Sequence, residues 1–268
     1  MKNTLYPVLF LMFCYYTTST YGSESLCDEY KKIPVEQEQF IWVCLQGNKG
    51  QITKDILIIF LHGDKSSGNY VSWEYKTTRR FVDTRTIGAT ILRPSYTDIE
   101  GHHSDGKKLH KNRYTKERAH NIGEAIKILK TDLKIKTIIL IGYSGGGVFA
   151  GVLAGMYPDL WQAVVMLSTP THIHEIRSQR GKNPWPYSQS PNDYIQSINP
   201  KTKILVFSSK KDDRAPESFA KKYVEDAEAT GIVAKHYSLG QLSHFETPNA
   251  KKFWKVLNTL HTGIKNKP

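Results

Sequence analysis

The sequence is poor in cysteine, with 3 in 268 residues, and it contains no internal repeat, low-complexity segment or domain linker. Together with an ordinary globular composition, the absence of a repeat or a domain linker predicts a single domain. Long hydrophobic stretches are also scarce. The apolar run at residues 5–16 is too short for a comfortable membrane span, which needs about 20 residues.

That short run lies in a segment typical of a secretory signal peptide. Lys2 supplies a positive start, the apolar run follows, and the segment Thr20-Tyr21-Gly22 offers the small residues Thr20 and Gly22 where a signal peptidase cleaves. We therefore expect residues 1–22 to be a signal peptide and 23–268 a mature domain, secreted or periplasmic and without stable membrane insertion. An uncleaved N-terminal anchor is the alternative.

Removal of the signal peptide would leave two of the three cysteines. Cys14 would be lost, while Cys27 and Cys44 would remain. An even pair in an exported chain favours a disulfide. This bond would join the N-terminal segment to the first predicted strand; two buried thiols are the alternative.

Acidic residues are also in the minority, with 25 Asp and Glu against 37 Lys and Arg, a formal net charge of +12. A positive balance favours anionic surfaces or substrates. Because the basic residues are scattered and no aromatic-interleaved motif accompanies them, we expect a solvated basic surface and no nucleic-acid partner.

The sequence has histidines in two loops but no complete set of metal ligands. His102, His103 and His110 share one polar loop, and His172 and His174 lie in another. No carboxylate or cysteine pattern completes a zinc site around them. We therefore predict no metal and no cofactor.

Short apolar runs alternate with amphipathic segments along most of the chain. This alternation predicts an α/β fold: a doubly wound, mainly parallel sheet with helices on both faces and ligands at the carboxyl ends of the strands. The excursion at 169–203 is long for a simple connection and predicts a short cap. Strands are predicted at 40–45, 56–61, 89–92, 137–141, 163–167, 204–207 and 232–237, and helices at 69–83, 115–133, 147–156, 216–230 and 249–260.

The most informative motif is Gly142-Tyr143-Ser144-Gly145-Gly146, which separates a buried strand from a helix of small residues. Such a tight G-x-S-x-G turn exposes its serine, and its glycines let strand and helix approach closely. The motif predicts a nucleophilic Ser144. The alternative is a plain glycine-rich turn whose serine caps the helix.

A serine nucleophile needs a histidine base and an acid that orients the base. Asp212 and Asp213 follow the strand predicted at 204–207, and His244 follows the one at 232–237. The required groups thus occur in the order Ser, Asp, His, each after its own strand.

These features resemble the α/β-hydrolase fold superfamily, which includes esterases, lipases and serine peptidases. The resemblance covers nearly all of the mature chain. It rests on five short stretches: His-Gly at 62–63, Arg-Pro at 93–94, the serine turn at 142–146, Asp-Asp-x-x-Pro at 212–216 and Ser-His-Phe at 243–245.

The resemblance implies roles for individual residues. The nucleophile falls on Ser144, the base on His244 and the acid on Asp212, with Asp213 pointing away. Ala215 replaces the usual branched residue and Ser209 the usual glycine, so the register of the acid stays open between Asp212 and Asp213.

The family pattern also implies an oxyanion hole, formed by two backbone N–H groups. One belongs to Gly145 and the other to Asp64 or Lys65. Since a carboxylate facing the hole would repel developing negative charge, we expect the Asp64 side chain to point outward or to pair with a base. The candidates for the substrate pocket are His62, Tyr143 and Trp185.

The sequence thus predicts an exported serine hydrolase that needs no cofactor and forms an acyl-enzyme with a small-molecule ester or acyl substrate. A carboxylic ester of a small or moderate acid is expected, because the excursion is too short for a large lipase lid. Hydrolysis of small peptides or amides is one alternative, and a non-catalytic binding protein on the same fold is another.

Overall fold

The computed structural model describes residues 26–48, 54–64, 73–106 and 113–266. The predicted signal peptide, Lys65 and His110 lie outside these ranges. Within them, the apolar runs form one eight-stranded sheet in the order β1-β2-β4-β3-β5-β6-β7-β8. The strands are β1 Glu29–Pro34, β2 Phe40–Gln46, β3 Ile56–Leu61, β4 Thr86–Ile91, β5 Thr137–Tyr143, β6 Ala163–Leu167, β7 Lys203–Ser208 and β8 Ala234–Ser238.

The sheet is mainly parallel. Strand β2 pairs antiparallel with both β1 and β4, whereas every pairing from β4 through to β8 is parallel. All six residues of β3 are buried, as expected of a strand covered on both faces. The predicted doubly wound α/β sheet is confirmed.

In the described part of the chain, six α-helices cover the sheet. They are α1 Trp73–Arg79, α2 Lys116–Asp132, α3 Gly145–Met156, α4 Ile173–Gln179, α5 Glu217–Ala229 and α6 Lys251–Lys265. The excursion after β6 holds α4 and a 3-10 helix, Pro191–Ser197. None of the described helices is long and apolar enough to span a membrane.

The residues of β5 alternate between two cores. Ile138 and Leu140 pack in the core that includes residues of α2, α3 and α5, whereas Ile139 and Ile141 pack in the core that includes residues of α6. This alternation places β5 between two helical layers. The loop that follows β5 is therefore held from both faces of the sheet.

The prediction missed β1, because residues 29–34 are mostly polar. Only Ile33 of this strand is fully buried, which suits an edge strand with one face in solvent. A disulfide links the chain just before β1 to β2. It joins Cys27 to Cys44, whose Cα atoms are 5.3 Å apart.

Candidate active site

Ser144 occupies the one-residue turn between β5 and α3. Its φ of 52° and ψ of −118° are strained for a non-glycine residue. Two glycines permit this turn: a Cβ on Gly142 would lie 2.4 Å from the Gly146 carbonyl oxygen, and one on Gly146 would lie 2.1 Å from that of Leu61. The Ser144 side chain makes no capping hydrogen bond to α3, contrary to the alternative of a simple helix cap.

The Ser144 hydroxyl begins a hydrogen-bonded chain of three side chains. Its Oγ lies 2.9 Å from Nε2 of His244, and Nδ1 of His244 lies 2.9 Å from both carboxylate oxygens of Asp212. Because a carboxylate can only accept, Nδ1 carries the proton and Nε2 is left to accept from the serine. The arrangement can remove the Ser144 proton.

The neighbouring aspartate takes no part in this chain. Asp212 is buried and accepts the backbone N–H groups of Arg214 and Ala215 at 3.0 and 2.9 Å. The Asp213 side chain is 82% exposed and lies 3.8 Å from a nitrogen of Arg180. Of the two candidates from the sequence, the structure brings Asp212 to His244.

The main chain of His244 is also fixed. Its carbonyl oxygen accepts the hydroxyl protons of Tyr143 at 3.1 Å and Thr247 at 2.9 Å. Tyr143 precedes Ser144 at the end of β5, so one residue couples the strand to the histidine loop. Tyr143, one of the residues predicted for the substrate pocket, also lines the cavity.

The Asp64 carboxylate is turned towards basic and hydroxyl donors. It accepts from Arg93 at 2.5 Å, Tyr114 at 2.7 Å, Tyr96 at 3.2 Å and Arg113 at 3.3 Å. Burial alone would raise the pKa of Asp64, but the Arg93 guanidinium, the Tyr114 hydroxyl and the Arg113 guanidinium together outweigh it and hold that pKa well below its usual range. Of the two orientations expected, Asp64 adopts the paired one.

Gly145 and Asp64 are close neighbours, since a Cβ on Gly145 would lie 2.3 Å from Asp64 Oδ1. The Gly145 N–H belongs to the first turn of α3, where amides have no intrahelical acceptor. The Gly145 N–H, the first donor predicted for the oxyanion hole, therefore lies beside the Asp64 loop. Lys65, the other predicted source of a second donor, lies outside the described residues.

His62, a predicted pocket residue, lies elsewhere. It is fully buried, and its Nε2 accepts the backbone N–H of Arg93 at 3.1 Å. A histidine enclosed between two strand ends supports the loop and does not line the cavity, so this prediction needs correction.

A cavity of about 730 Å³ opens beside Ser144 and His244. Ile173, Ile176 and Trp185 of the excursion supply an apolar part of its lining. Trp185 is half-buried, with its ring 5.9 Å from that of Tyr114. The excursion therefore forms one wall of the cavity beside the serine, and Trp185, a predicted pocket residue, is part of that wall.

Comparison with solved structures identifies the architecture. The chain is similar to the esterase Pf2001 of Pyrococcus furiosus, with 16% identity and a TM-score of 0.65 over 87% of this chain and 91% of that one. It is also similar to Est1E of Butyrivibrio proteoclasticus, with 14% identity and a TM-score of 0.62 over 84% and 97% of the two chains. The chain has the α/β-hydrolase fold.

A longer structure shares this fold. An acylaminoacyl peptidase of Pyrococcus horikoshii matches with 14% identity and a TM-score of 0.63 over 82% of this chain, which spans only 38% of the peptidase. At such identities the likeness concerns the α/β-hydrolase fold alone. The sequence matches no family model and no curated protein.

Sequence reasoning missed most of the polar lining of the cavity. Five basic residues line the cavity: Arg113, Arg177, Arg180, Lys182 and Arg214. They come from three separate segments of the hydrolase fold and form no motif. Only the net positive charge pointed to them, without showing where they would gather.

The loop histidines have ordinary partners. His102 Nδ1 lies 2.9 Å from Asp98 Oδ2, and His174 Nε2 lies 3.0 Å from the Ser188 carbonyl oxygen. Over the described ranges, no cluster of His, Cys, Asp or Glu could hold a metal ion. His102 therefore helps to hold the segment at 98–102, and His174 links α4 to the chain at Ser188.

Proposed function

We propose that this chain is a serine hydrolase that cleaves carboxylic esters through an acyl-enzyme on Ser144. The observation that carries the proposal is the unbroken hydrogen-bonded chain from Ser144 through His244 to Asp212. A hydroxyl on a strained turn, placed 2.9 Å from an imidazole whose far nitrogen donates to a buried carboxylate, has the arrangement of an activated nucleophile.

In the proposed reaction, Ser144 Oγ attacks the ester carbonyl while His244 takes its proton. Asp212 stabilises the resulting imidazolium, and the Gly145 N–H donates to the developing oxyanion. One such donor is typically worth about 3 kcal/mol in the transition state. His244 then protonates the departing alcohol, and water activated by His244 releases the acid.

The small cover over the cavity favours an ester over an amide substrate. It consists of a seven-residue helix, a 3-10 helix and their loops. The likeness to the esterase Pf2001, which extends over 87% of this chain and 91% of that one, agrees with this choice. Peptidase activity on small amides is the second candidate.

We also propose that the protein is exported. The disulfide between Cys27 and Cys44 supports this, because such bonds persist in oxidising compartments. The signal peptide at 1–22 remains a prediction from the sequence.

Hydrolysis of 4-nitrophenyl acetate and butyrate, compared with that of aminoacyl 4-nitroanilides, tests the proposal. The esters should be turned over and the anilides only slowly, and Ser144→Ala should abolish both activities. Preferential anilide cleavage would favour the peptidase. Equal rates for Ser144→Ala and the unaltered protein, both no faster than the uncatalysed reaction, would leave only the non-catalytic alternative.

A further inference from the structure

The cavity beside Ser144 has a cationic wall that acyl transfer does not require. The cationic wall consists of Arg113, Arg177, Arg180, Lys182 and Arg214. They reach the cavity from the segment before α2, from α4 and the turn after it, and from the loop after β7. These cations come from three separate parts of the chain and line one cavity. This arrangement indicates a ligand that contacts several of them at once.

Carboxylates of the protein neutralise this wall only in part. Of the residues that the structure describes, Asp64 and Asp213 are the carboxylates that line the cavity with it. Asp64 lies 3.3 Å from Arg113 and 2.5 Å from the buried Arg93, and Asp213, which is mostly exposed, lies 3.8 Å from Arg180. Among the described residues, Arg177, Lys182 and Arg214 have no carboxylate within the 4.0 Å of an ion pair.

Elsewhere on the described surface, some lysines have acidic neighbours. Lys127 pairs with Glu124 one helical turn away, and Lys222 pairs with Asp226. The cationic wall differs from the general basic surface that the sequence predicts because its members converge on one cavity.

Arg177 is the best-positioned member of the wall. Its Nε donates to the Asn183 carbonyl oxygen at 2.7 Å, and its guanidinium lies 3.9 Å from the ring centre of Trp185. The Arg113 guanidinium lies 5.6 Å from the same ring centre. Burial, together with the like charges of Arg113 and Arg180, lowers the pKa of Arg177. A bound anion would relieve this repulsion between like charges.

We propose that the substrate of this site is an ester with a negatively charged group, a carboxylate or phosphate, that the cationic wall binds with Arg177 at its centre. The inference rests on the proposed function, since it takes this cavity as the place where the substrate lies. Guanidinium groups suit such oxyanions because their planar donors can bind two oxygens at once. Ile173, Ile176 and Trp185 would contact the apolar part of the molecule.

Matched ester pairs test where the charge is recognised. The first arm compares 4-nitrophenyl butyrate with the mono-4-nitrophenyl ester of succinic acid, which places a carboxylate in the acyl part. The second compares 4-nitrophenyl acetate with 3-carboxy-4-nitrophenyl acetate, which places it in the leaving group. In the arm whose charge lies where the cationic wall binds it, the anionic ester should have a kcat/KM about tenfold higher than that of its neutral partner, mainly through a lower KM. Added salt should reduce this preference.

Two variants separate the effect of the cationic wall from the effect of the protein's net charge. Arg177→Gln should reduce the preference ratio roughly tenfold, as expected for loss of one charge-assisted contact. Lys222→Gln removes the same charge from an exposed site on α5 and should keep the ratio. An equal effect of both substitutions would overturn the inference, because it would assign the preference to net charge.

Binding of succinate and of inorganic phosphate to Ser144→Ala, measured by calorimetry, gives a readout that needs no turnover. Arg177→Gln in that background should weaken binding about tenfold, and Lys222→Gln should not. Hydrolysis of neutral esters without anion preference or binding would overturn the inference and leave the proposed function standing. Arg177-dependent anion binding without any hydrolysis would support the anion site and contradict the proposed function.

Discussion

Arg93 donates to the Asp64 carboxylate across 2.5 Å, and the Asp64 oxygen that it contacts would lie 2.3 Å from a Cβ on Gly145. Arg93 also donates to the His62 carbonyl oxygen at 2.9 Å. A buried ion pair thus fixes the loop after β3 against the start of α3. In the proposed mechanism, this contact sets the distance between the two backbone donors of the oxyanion hole.

We predict that Asp64→Asn destabilises the fold and slows ester hydrolysis. The substitution leaves the buried Arg93 without its counter-charge, which typically costs about 3 kcal/mol. Asp132→Asn breaks an exposed pair with Lys31 and should cost less than about 1 kcal/mol. Urea unfolding measures both free energies. Equal small losses would show that the Asp64–Arg93 pair does not stabilise the loop.

The two adjacent aspartates should differ sharply in their effect on turnover. Asp212→Asn removes the group that orients His244, and comparable changes in serine hydrolases lower kcat by about 10⁴. Asp213→Asn alters an exposed side chain and should change kcat for a neutral ester far less. Steady-state kinetics of the two variants provides the test. A larger loss for Asp213→Asn would reassign the acid.

Two glycine substitutions should act in opposite directions. The Cβ of Gly146→Ala would meet the Leu61 carbonyl oxygen at 2.1 Å, so we expect a loss of roughly 2–3 kcal/mol through overpacking. Gly263→Ala adds its Cβ to open space in α6 and should stabilise by about 0.5–1 kcal/mol. Thermal unfolding distinguishes them, and a stabilising Gly146→Ala would contradict the close approach of β3 and α3.

His261 should make stability dependent on pH. Burial lowers its pKa in the folded state, while its Nε2 lies 2.8 Å from the Thr86 hydroxyl. As the pH falls, His261 therefore binds a proton in the unfolded chain before it does so in the folded chain. The stability contributed by neutral His261 is lost as pH falls below about 6.5. The decrease in the free energy of unfolding between about pH 7.5 and 5 should be smaller in His261→Gln. An equal decrease in both proteins would count against a buried neutral imidazole.

Much of this architecture could be predicted because its signals are local. The β-branched run of β5 and the G-x-S-x-G turn lie within ten residues, and Asp212 and His244 each follow a recognisable strand. The edge strand β1 was not predicted, because residues 29–34 are mostly polar and pair with β2 through backbone groups. Strand pairing of this kind leaves little trace in hydrophobic periodicity.

The polar surroundings of the site could not be predicted, because they depend on distant contacts. Asp64 meets Arg93 and Tyr114 across 29 and 50 positions of sequence. Arg177 and Arg214 line the same cavity only because the excursion folds over Ser144. No spacing in the sequence predicts contacts between residues so far apart. The tight turn at Ser144, by contrast, is determined by the glycines next to it in the sequence.

Covalent labelling by a fluorophosphonate is the most direct test of the proposed Ser144 nucleophile. Intact-mass spectrometry should show one adduct per chain, peptide mapping should place it on Ser144, and labelling should be lost in Ser144→Ala and greatly slowed in His244→Ala. An unlabelled protein, or equal labelling of Ser144→Ala, would contradict the account.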